Sequence, residues 1–326
     1  MATHTGEVKR EFISGRTLGL LIATAILYGI LALRSTTFVS NYTTFVLSRE
    51  VAFYVLIALA QAVCLVVGGM NLSVGATSGF VTVIFGLGLN QWGMPLPCAL
   101  VVALTTGALI GAANGLLVTR LKINSFIVTL SMMFVLMGLR SGISGGMPYA
   151  VPARFWTIGQ GYVFANASAL SWVFLIVLVL LVAVGYLYNQ TVFGRRMLAT
   201  GGNIDAARLS GISTNRMIVG ANILSGLFSA LAAVLWASKQ GSAAPETGDA
   251  WLIVSFAVAI IGGTGLNGGI ISAPGILMGA IIYRLIQHGL VEWNANSHYA
   301  NAFLGALILL TIIIDRVREI CSGKRT

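Results

Sequence analysis

Residues 189–216, NQTVFGRRMLATGGNIDAARLSGISTNR, are the one long polar interruption in the second half of an otherwise apolar chain, and they hold Arg195, Arg196, Arg208 and Arg216. Within them Asn203 is a good helix N-cap, Asp205 falls in the first turn, where the helix dipole favours a negative charge, and Gly211 can end the helix in the left-handed conformation. The pattern predicts a helix of about two turns, marginal alone in water and therefore expected to pack against something else.

Outward from this stretch the composition excludes a soluble domain. Of 326 residues 57% are hydrophobic and 9% charged, against roughly a quarter charged in soluble domains. No charge occurs in 51–119, 155–194 or 250–283, and at about 20 residues per crossing such runs hold many membrane spans. The chain reads as an all-α integral membrane protein of about ten transmembrane helices: 18–33, 51–67, from the break after Val67 to 89, 98–118, 124–143, 170–188, 217–237, 251–261, 270–290 and 299–314. Residues 1–17 and 317–326 read as tails around a single transmembrane domain, 18–316, and the first apolar segment reads as a span, since it lacks a leader's small-residue cleavage site. Residues 145–169 and the polar loop with Lys239, Glu246 and Asp249 read as external.

Ten spans put both ends on one side. Lys9, Arg10, Arg16, Arg120, Lys122, the four arginines of the opening stretch, Arg316, Arg318, Lys324 and Arg325 then share that side, against Arg34, Arg49, Arg154 and Lys239 opposite. This bias predicts cytoplasmic termini and a cytoplasmic opening stretch. It also explains the net charge of +10 without nucleic acid, which would need the cations on one soluble face.

Two glycine-rich breaks, GGMNLSVG at 68–75 and GGTGLNGG at 262–269, share Gly-Gly-x-x-Leu-x-x-Gly at span junctions and suggest related halves, as in many transporters. Gly107, Gly111 and Gly115, four apart, form a stripe that lets another helix approach closely.

The motifs of enzymes are absent. None of Lys9, Lys122, Lys239 and Lys324 precedes Ser or Thr, so there is no P-loop, and without one Leu209-Ser210-Gly211 does not make an ATPase signature. His4, His288 and His298 have no metal-ligand spacing, and the three cysteines suggest neither disulfide nor metal framework. No clear carboxylate pair lies within the spans, which weighs against an ion-driven carrier and an intramembrane enzyme alike. A multi-span protein without an energy source, carrying a basic helix between two spans, fits a permease driven by a partner.

Gly194-Arg195-Arg196, Ala199, Gly201, Asn203, Ala206-Ala207 and Ser210-Gly211-Ile212 resemble the cytoplasmic coupling segment of bacterial ABC-importer permeases of the ribose/xylose/galactose type, in the branched-chain permease superfamily. Residues 68–75, Asn114-Gly115, Phe126-Ile127-Val128-Thr129-Leu130 and Gly262-Gly263-Thr264 look like that family's landmarks in the same order, so the resemblance covers residues 20 to 315. It implies a vitamin-B12-importer-like permease fold, a second permease subunit, identical or homologous, two ABC ATPase subunits or a tandem ATPase, and a periplasmic sugar-binding protein. ATP and Mg would bind the partner ATPase, with no cofactor on this chain. The coupling residues would be Gly194, Arg195, Arg196, Gly201, Asn203, Asp205, Ala206, Ala207, Arg208, Ser210 and Gly211. The family commonly has Asp at Asn71, an acidic residue where Trp251–Val254 stand, and Asn-Asn-Gly at Gln287-His288-Gly289. The last two departures leave the particular sugar open; the reading is a permease for a monosaccharide or similar small polar solute, with an autoinducer, a nucleoside or a branched-chain amino acid as alternative solutes and a stand-alone secondary carrier as the alternative function.

Candidate path residues are Asn71, Ser73, Asn114, Phe126 and Thr129 around the first break. Arg284, Gln287 and His288 join them at i, i+3, i+4 spacing near the outer end of the ninth span. Each also has a structural reading: a helix cap for Asn71, interhelical hydrogen bonds for Asn114 and Asn222, interfacial anchoring for the last three. Arg140, about 27 Å along a helix from Lys122, is expected to snorkel to the outer interface.

Overall fold

The computed structural model describes residues 8–35, 37–163 and 170–293, with scattered residues between 302 and 313. Its helices are α1 (Val8–Arg34), α2 (Asn41–Val66), α3 (Val74–Asn90), α4 (Leu96–Arg120), α5 (Ser125–Ser144), α6 (Ala153–Gln160), α7 (Trp172–Gln190), α8 (Val192–Gly202), α9 (Ile204–Leu209), α10 (Thr214–Gln240), α11 (Trp251–Ile261) and α12 (Ala273–Glu292). Two short strands, β1 (Tyr149–Ala150) and β2 (Ser242–Ala243), pair antiparallel with Tyr149 opposite Ala243.

Among the described residues seven helices are long and apolar enough to cross a membrane, and α3 and α11 are shorter apolar helices. These nine correspond to the first nine expected spans; of the tenth, 299–314, only Ala302, Gly305, Ala306, Leu309 and Ile313 are among the described residues. Two expected boundaries move. The polar start of the chain from Val8 is continuous with the first span in one helix. The supposed loop around Arg49 belongs to α2, which begins at Asn41 with Ser40 as N-cap, its hydroxyl accepting from the Thr43 amide.

Helix α2 is the axis of the bundle: 83% of its most apolar window is buried, against 6% for α1. Small residues let it serve as the axis, because Ala52, Ala58, Ala60 and Ala62 are fully buried beside Val55, Leu56 and Leu59. Its wall is built from α7, α10, α11 and α12. Close-packed apolar surface of this kind has no hydrophobic drive in lipid and is held by dispersion and backbone approach.

The glycine stripe of α4 packs on α10 as expected. A Cβ on Gly107 would lie 2.4 Å from the Gly226 carbonyl oxygen, one on Gly111 2.2 Å from that of Asn222, and one on Gly115 2.7 Å from the Val219 Cα.

The segment after α10 corrects the sequence reading. Residues 241–250 were expected in an external loop, yet they run antiparallel to α3 and descend along it. Ala243 packs at Gly86, the Pro245 and Thr247 carbonyls sit against Gly79, and Gly248 meets Gly75 backbone to backbone, a Cβ on Gly75 falling 2.1 Å from the Gly248 oxygen. From Gly86 to Gly75 is a descent of about 16 Å at 1.5 Å per residue. Helix α11 starts only there. The eighth span is therefore discontinuous, an irregular outer half of a two-residue strand and successive turns followed by an 11-residue helix. Irregular backbone at membrane depth is tolerated only where protein or a water-filled cavity covers it.

Candidate functional site

The polar stretch folds as two helices, not one. Thr191 caps α8, its hydroxyl accepting from the Gly194 amide at 3.1 Å. Asn203 caps α9 as expected, with Oδ1 accepting from the amides of Asp205 (3.0 Å) and Ala206 (2.9 Å). Gly211 ends the turn at φ +78°, with the Ile212 amide donating back to the Ala207 carbonyl. Sequence reasoning missed α8; its signal was Thr191 followed by a run that Arg195, Met197 and Ala199 make helix-permissive.

The contact that α9 lacked in the sequence is now visible. Ala207 is buried, whereas Asn203, Asp205, Ala206, Arg208, Ser210 and Gly211 face outward and Leu209 is 90% exposed at the tip. Arg195 and Arg196 are exposed on α8, and Gly194 is buried at its elbow with α7. The C-terminal end of α8 meets both glycine-rich breaks at once. A Cβ on Gly201 would fall 1.7 Å from the Val66 carbonyl oxygen and 2.6 Å from the Gly269 nitrogen, and one on Gly268 would fall 3.0 Å from the Gly68 nitrogen. The Gly269 amide donates to the Val66 carbonyl at 2.8 Å. The end of α8 is thus in backbone contact with the end of α2 and with the break between α11 and α12.

Beside α9 opens a cavity of about 1100 Å³, lined by the ends of α2, α4, α5 and α10 and by Ile204 and Arg208. Its rim carries Lys122, Arg208 and Arg216, and its lining includes Cys64, Met70, Ser125 and Asn222. The Arg208 Nε donates to the Thr214 hydroxyl at 3.1 Å and pairs loosely with Asp205 at 3.8 Å.

Next to this cavity four of the candidate path residues come together. Asn71 is not the N-cap of α3; Ser73 takes that position and makes no side-chain cap bond. Asn71 Oδ1 instead accepts from the amide (2.9 Å) and hydroxyl (2.7 Å) of Ser73, and its Nδ2 donates to Ser225 at 2.8 Å. Asn114 Nδ2 donates to the Ser73 hydroxyl at 3.0 Å. Thr129 accepts from the Leu72 amide and Ser125 from the Met70 amide, each at 3.1 Å. The first break is held open by side chains that satisfy the backbone groups a helix would have paired. Phe126 stands apart, 46% exposed on α5. Asn222 bridges more weakly: its Oδ1 accepts from the Cys64 thiol of α2 at 3.9 Å, while its Nδ2 donates to the Ile218 carbonyl in its own helix.

Arg284, Gln287 and His288 share a face of α12 but form no common site. Gln287 donates to the Tyr283 hydroxyl at 2.7 Å, while His288 lies 3.6 Å from Glu292. Lys239, expected in a loop, lies in the last turn of α10; it pairs with Glu50 and lies over the Trp236 ring at 4.1 Å.

Arg140 also corrects the sequence reading. It does not snorkel. It is 4% exposed and donates through Nη2 to Asp249 Oδ1 at 2.5 Å, while its Nη1 lies against Gly79. Sequence reasoning missed the pair and the fully buried Gln61, whose amide has no partner among the described residues. Both left signals. A charge inside a span is a functional flag by default, and an apolar run as short as 251–261 cannot cross alone.

The family described as "Branched-chain amino acid transport system / permease component" matches residues 43–312. The chain is 33% identical over 321 residues to the ribose import permease protein of Bacillus subtilis, covering 96% of this chain and 97% of the relative. It is 29% identical over 310 residues to the galactose/methyl galactoside import permease protein of Haemophilus influenzae (90% and 92%). It is 28% identical over 313 residues to the autoinducer 2 import system permease protein of Photorhabdus luminescens (96% and 93%). No solved structure matches the chain.

Proposed function

The chain belongs to the branched-chain amino acid transport system / permease component family, and from that membership we propose that it carries a monosaccharide across the bacterial inner membrane as the membrane-spanning subunit of an ATP-binding-cassette importer. The observation that carries this reading is its similarity along nearly its whole length to import permeases for ribose and galactose. As a transport subunit it leaves ATP hydrolysis, with Mg, to two ABC ATPase subunits or a tandem ATPase. A periplasmic binding protein delivers the solute, and a second permease, identical or homologous, completes the membrane part. Ten spans with cytoplasmic termini and a vitamin-B12-importer-like arrangement complete the proposal.

In this reading α9 is the coupling helix. Its outward face, tipped by Leu209 and flanked by Arg208, Arg195 and Arg196, supports insertion into a cleft of the ATPase. ATP-driven closure of two ATPases is a rigid-body motion, and the seating of Gly201 between the two breaks gives that motion a short route to the bundle axis. The cavity beside α9 is the cytoplasmic exit, and Asn71, Ser73, Asn114 and Thr129 lie behind its lining. Deleting residues 203–211 should leave membrane insertion intact and abolish both ATPase copurification and ATP-dependent uptake in proteoliposomes; uptake retained by the deletion would refute the assignment. The autoinducer 2 relative favours a second reading of the solute within the same architecture. Binding measurements on the periplasmic component separate the two.

A further inference from the structure

The pair formed by Arg140 and Asp249 is not explained by folding alone. Arg140 projects from α5 into the protein, with its side chain 5% exposed, yet only Nη2 finds an acceptor; Nε and Nη1 are buried without a partner among the described residues. A buried guanidinium with unmatched donors is costly. Its partner is unlike it: the Asp249 side chain is 46% exposed, and it stands just before the N-terminus of α11, where the helix dipole favours an anion.

Depth makes this exposure informative. Gly79, against which the guanidinium packs, is 11 residues from the end of α3 at Asn90, so it lies about 16 Å below that end. The hydrocarbon core is about 30 Å thick. A half-exposed carboxylate at that depth does not face lipid, which would cost about 2.5–3.5 kcal/mol even on lenient scales. Such a group is tolerated where protein or a water-filled cavity covers it. The carboxylate stands on the irregular half of a broken span, the kind of place where membrane transporters hold polar solutes.

We propose that Asp249 and Arg140 form a polyol subsite in the solute path. Two neighbouring hydroxyls of the solute donate to the exposed carboxylate of Asp249, which Arg140 holds from the protein side. A vicinal diol supplies these two donors side by side and, being neutral, leaves the ion pair's charge balance unchanged. This rests on the monosaccharide reading above.

The test uses the complete importer, with permease, ATPase and binding protein, in proteoliposomes. Cys64, Cys98 and Cys321 are replaced by serine, and Asp249→Cys is exposed to a membrane-impermeant sulfonated thiol reagent. Modification is expected, slowed about tenfold by D-ribose or D-galactose with the binding protein and unaffected by L-leucine. In the native-cysteine background, Asp249→Asn is expected to lower the initial rate of ATP-driven sugar uptake at least tenfold with the amount of assembled complex unchanged. No modification under conditions that fully label Arg154→Cys would overturn the subsite, as would modification without sugar protection, or protection by leucine instead. If Asp249→Cys fails to assemble, the Asp249→Asn uptake decides alone, a rate equal to wild type overturning the proposal. Absence of uptake of both sugars by the unmutated complex would instead refute the monosaccharide reading itself.

Discussion

Two seams of the molecule are made by glycine, and they differ in what they admit. Along α4, Gly107, Gly111 and Gly115 are spaced four apart and receive another regular helix, α10. Along α3, Gly75, Gly79 and Gly86 receive the irregular, turn-rich backbone of 241–250. The first seam joins two rods whose internal hydrogen bonds are complete. The second joins a rod to a run of turns, in which Thr247 and Asp249 donate back to Ala244 and Glu246 and no regular ladder forms. One is a fixed joint. The other borders the only intramembrane Arg–Asp pair among the described residues.

The contrast is broken most directly by crowding the fixed joint. In Gly111→Leu the new side chain meets the Asn222 backbone, which cannot retreat without parting two helices, so a loss of about 3 kcal/mol or more is expected. Thermal unfolding of the detergent-purified protein should show it. Gly75→Ala sharpens the comparison by crowding the other seam, where a Cβ falls 2.1 Å from the Gly248 carbonyl oxygen. Its expected cost is about 1–3 kcal/mol, with faster proteolysis within 241–250 in membrane vesicles. Equal costs for the two substitutions would erase the distinction between the seams.

Smaller effects are expected where neither seam is touched. Asn203→Ala removes the acceptor for two amides of α9 and should cost about 1 kcal/mol. Several-fold weaker ATPase copurification should accompany it, and Asn203→Asp should restore both. Leu209→Ala should move the stability of the isolated permease by less than about 0.5 kcal/mol, because that side chain is 90% exposed. It should nevertheless weaken ATPase binding, and a stability loss without a binding loss would return Leu209 to an ordinary surface role.

The fixed joint was legible in the sequence because a period of four announces a helix–helix contact. So was α9, whose cap, acidic first turn and terminal glycine are local signals read from neighbouring residues. The seam along α3 was not legible. Its glycines are spaced 4 and 7 apart and their partner, Gly248, lies more than 160 residues away, so no local pattern marks it. Polarity misled for the same reason: Pro245, Glu246 and Asp249 look like an external loop, and only the closeness of Gly248 to Gly75 reveals the descent. The role of Asn71 was half legible. Its side chain does hold the start of α3, but from two residues before the cap, because Ser225 on a distant helix fixes its orientation.

The loosely held α1 bears on how the protein is made. Among the described residues it packs chiefly on α12: Leu31 joins Leu285, and Thr24 reaches Met278. Because α1 ends at Arg34 and α12 begins at Ala273, a ribosome working at about 5–20 residues per second needs tens of seconds to reach the partner. Through that interval the first helix must wait in lipid, unaccompanied by its eventual neighbour. That it buries so little is what allows the wait: a helix that leans little on protein contacts can be inserted first and docked last.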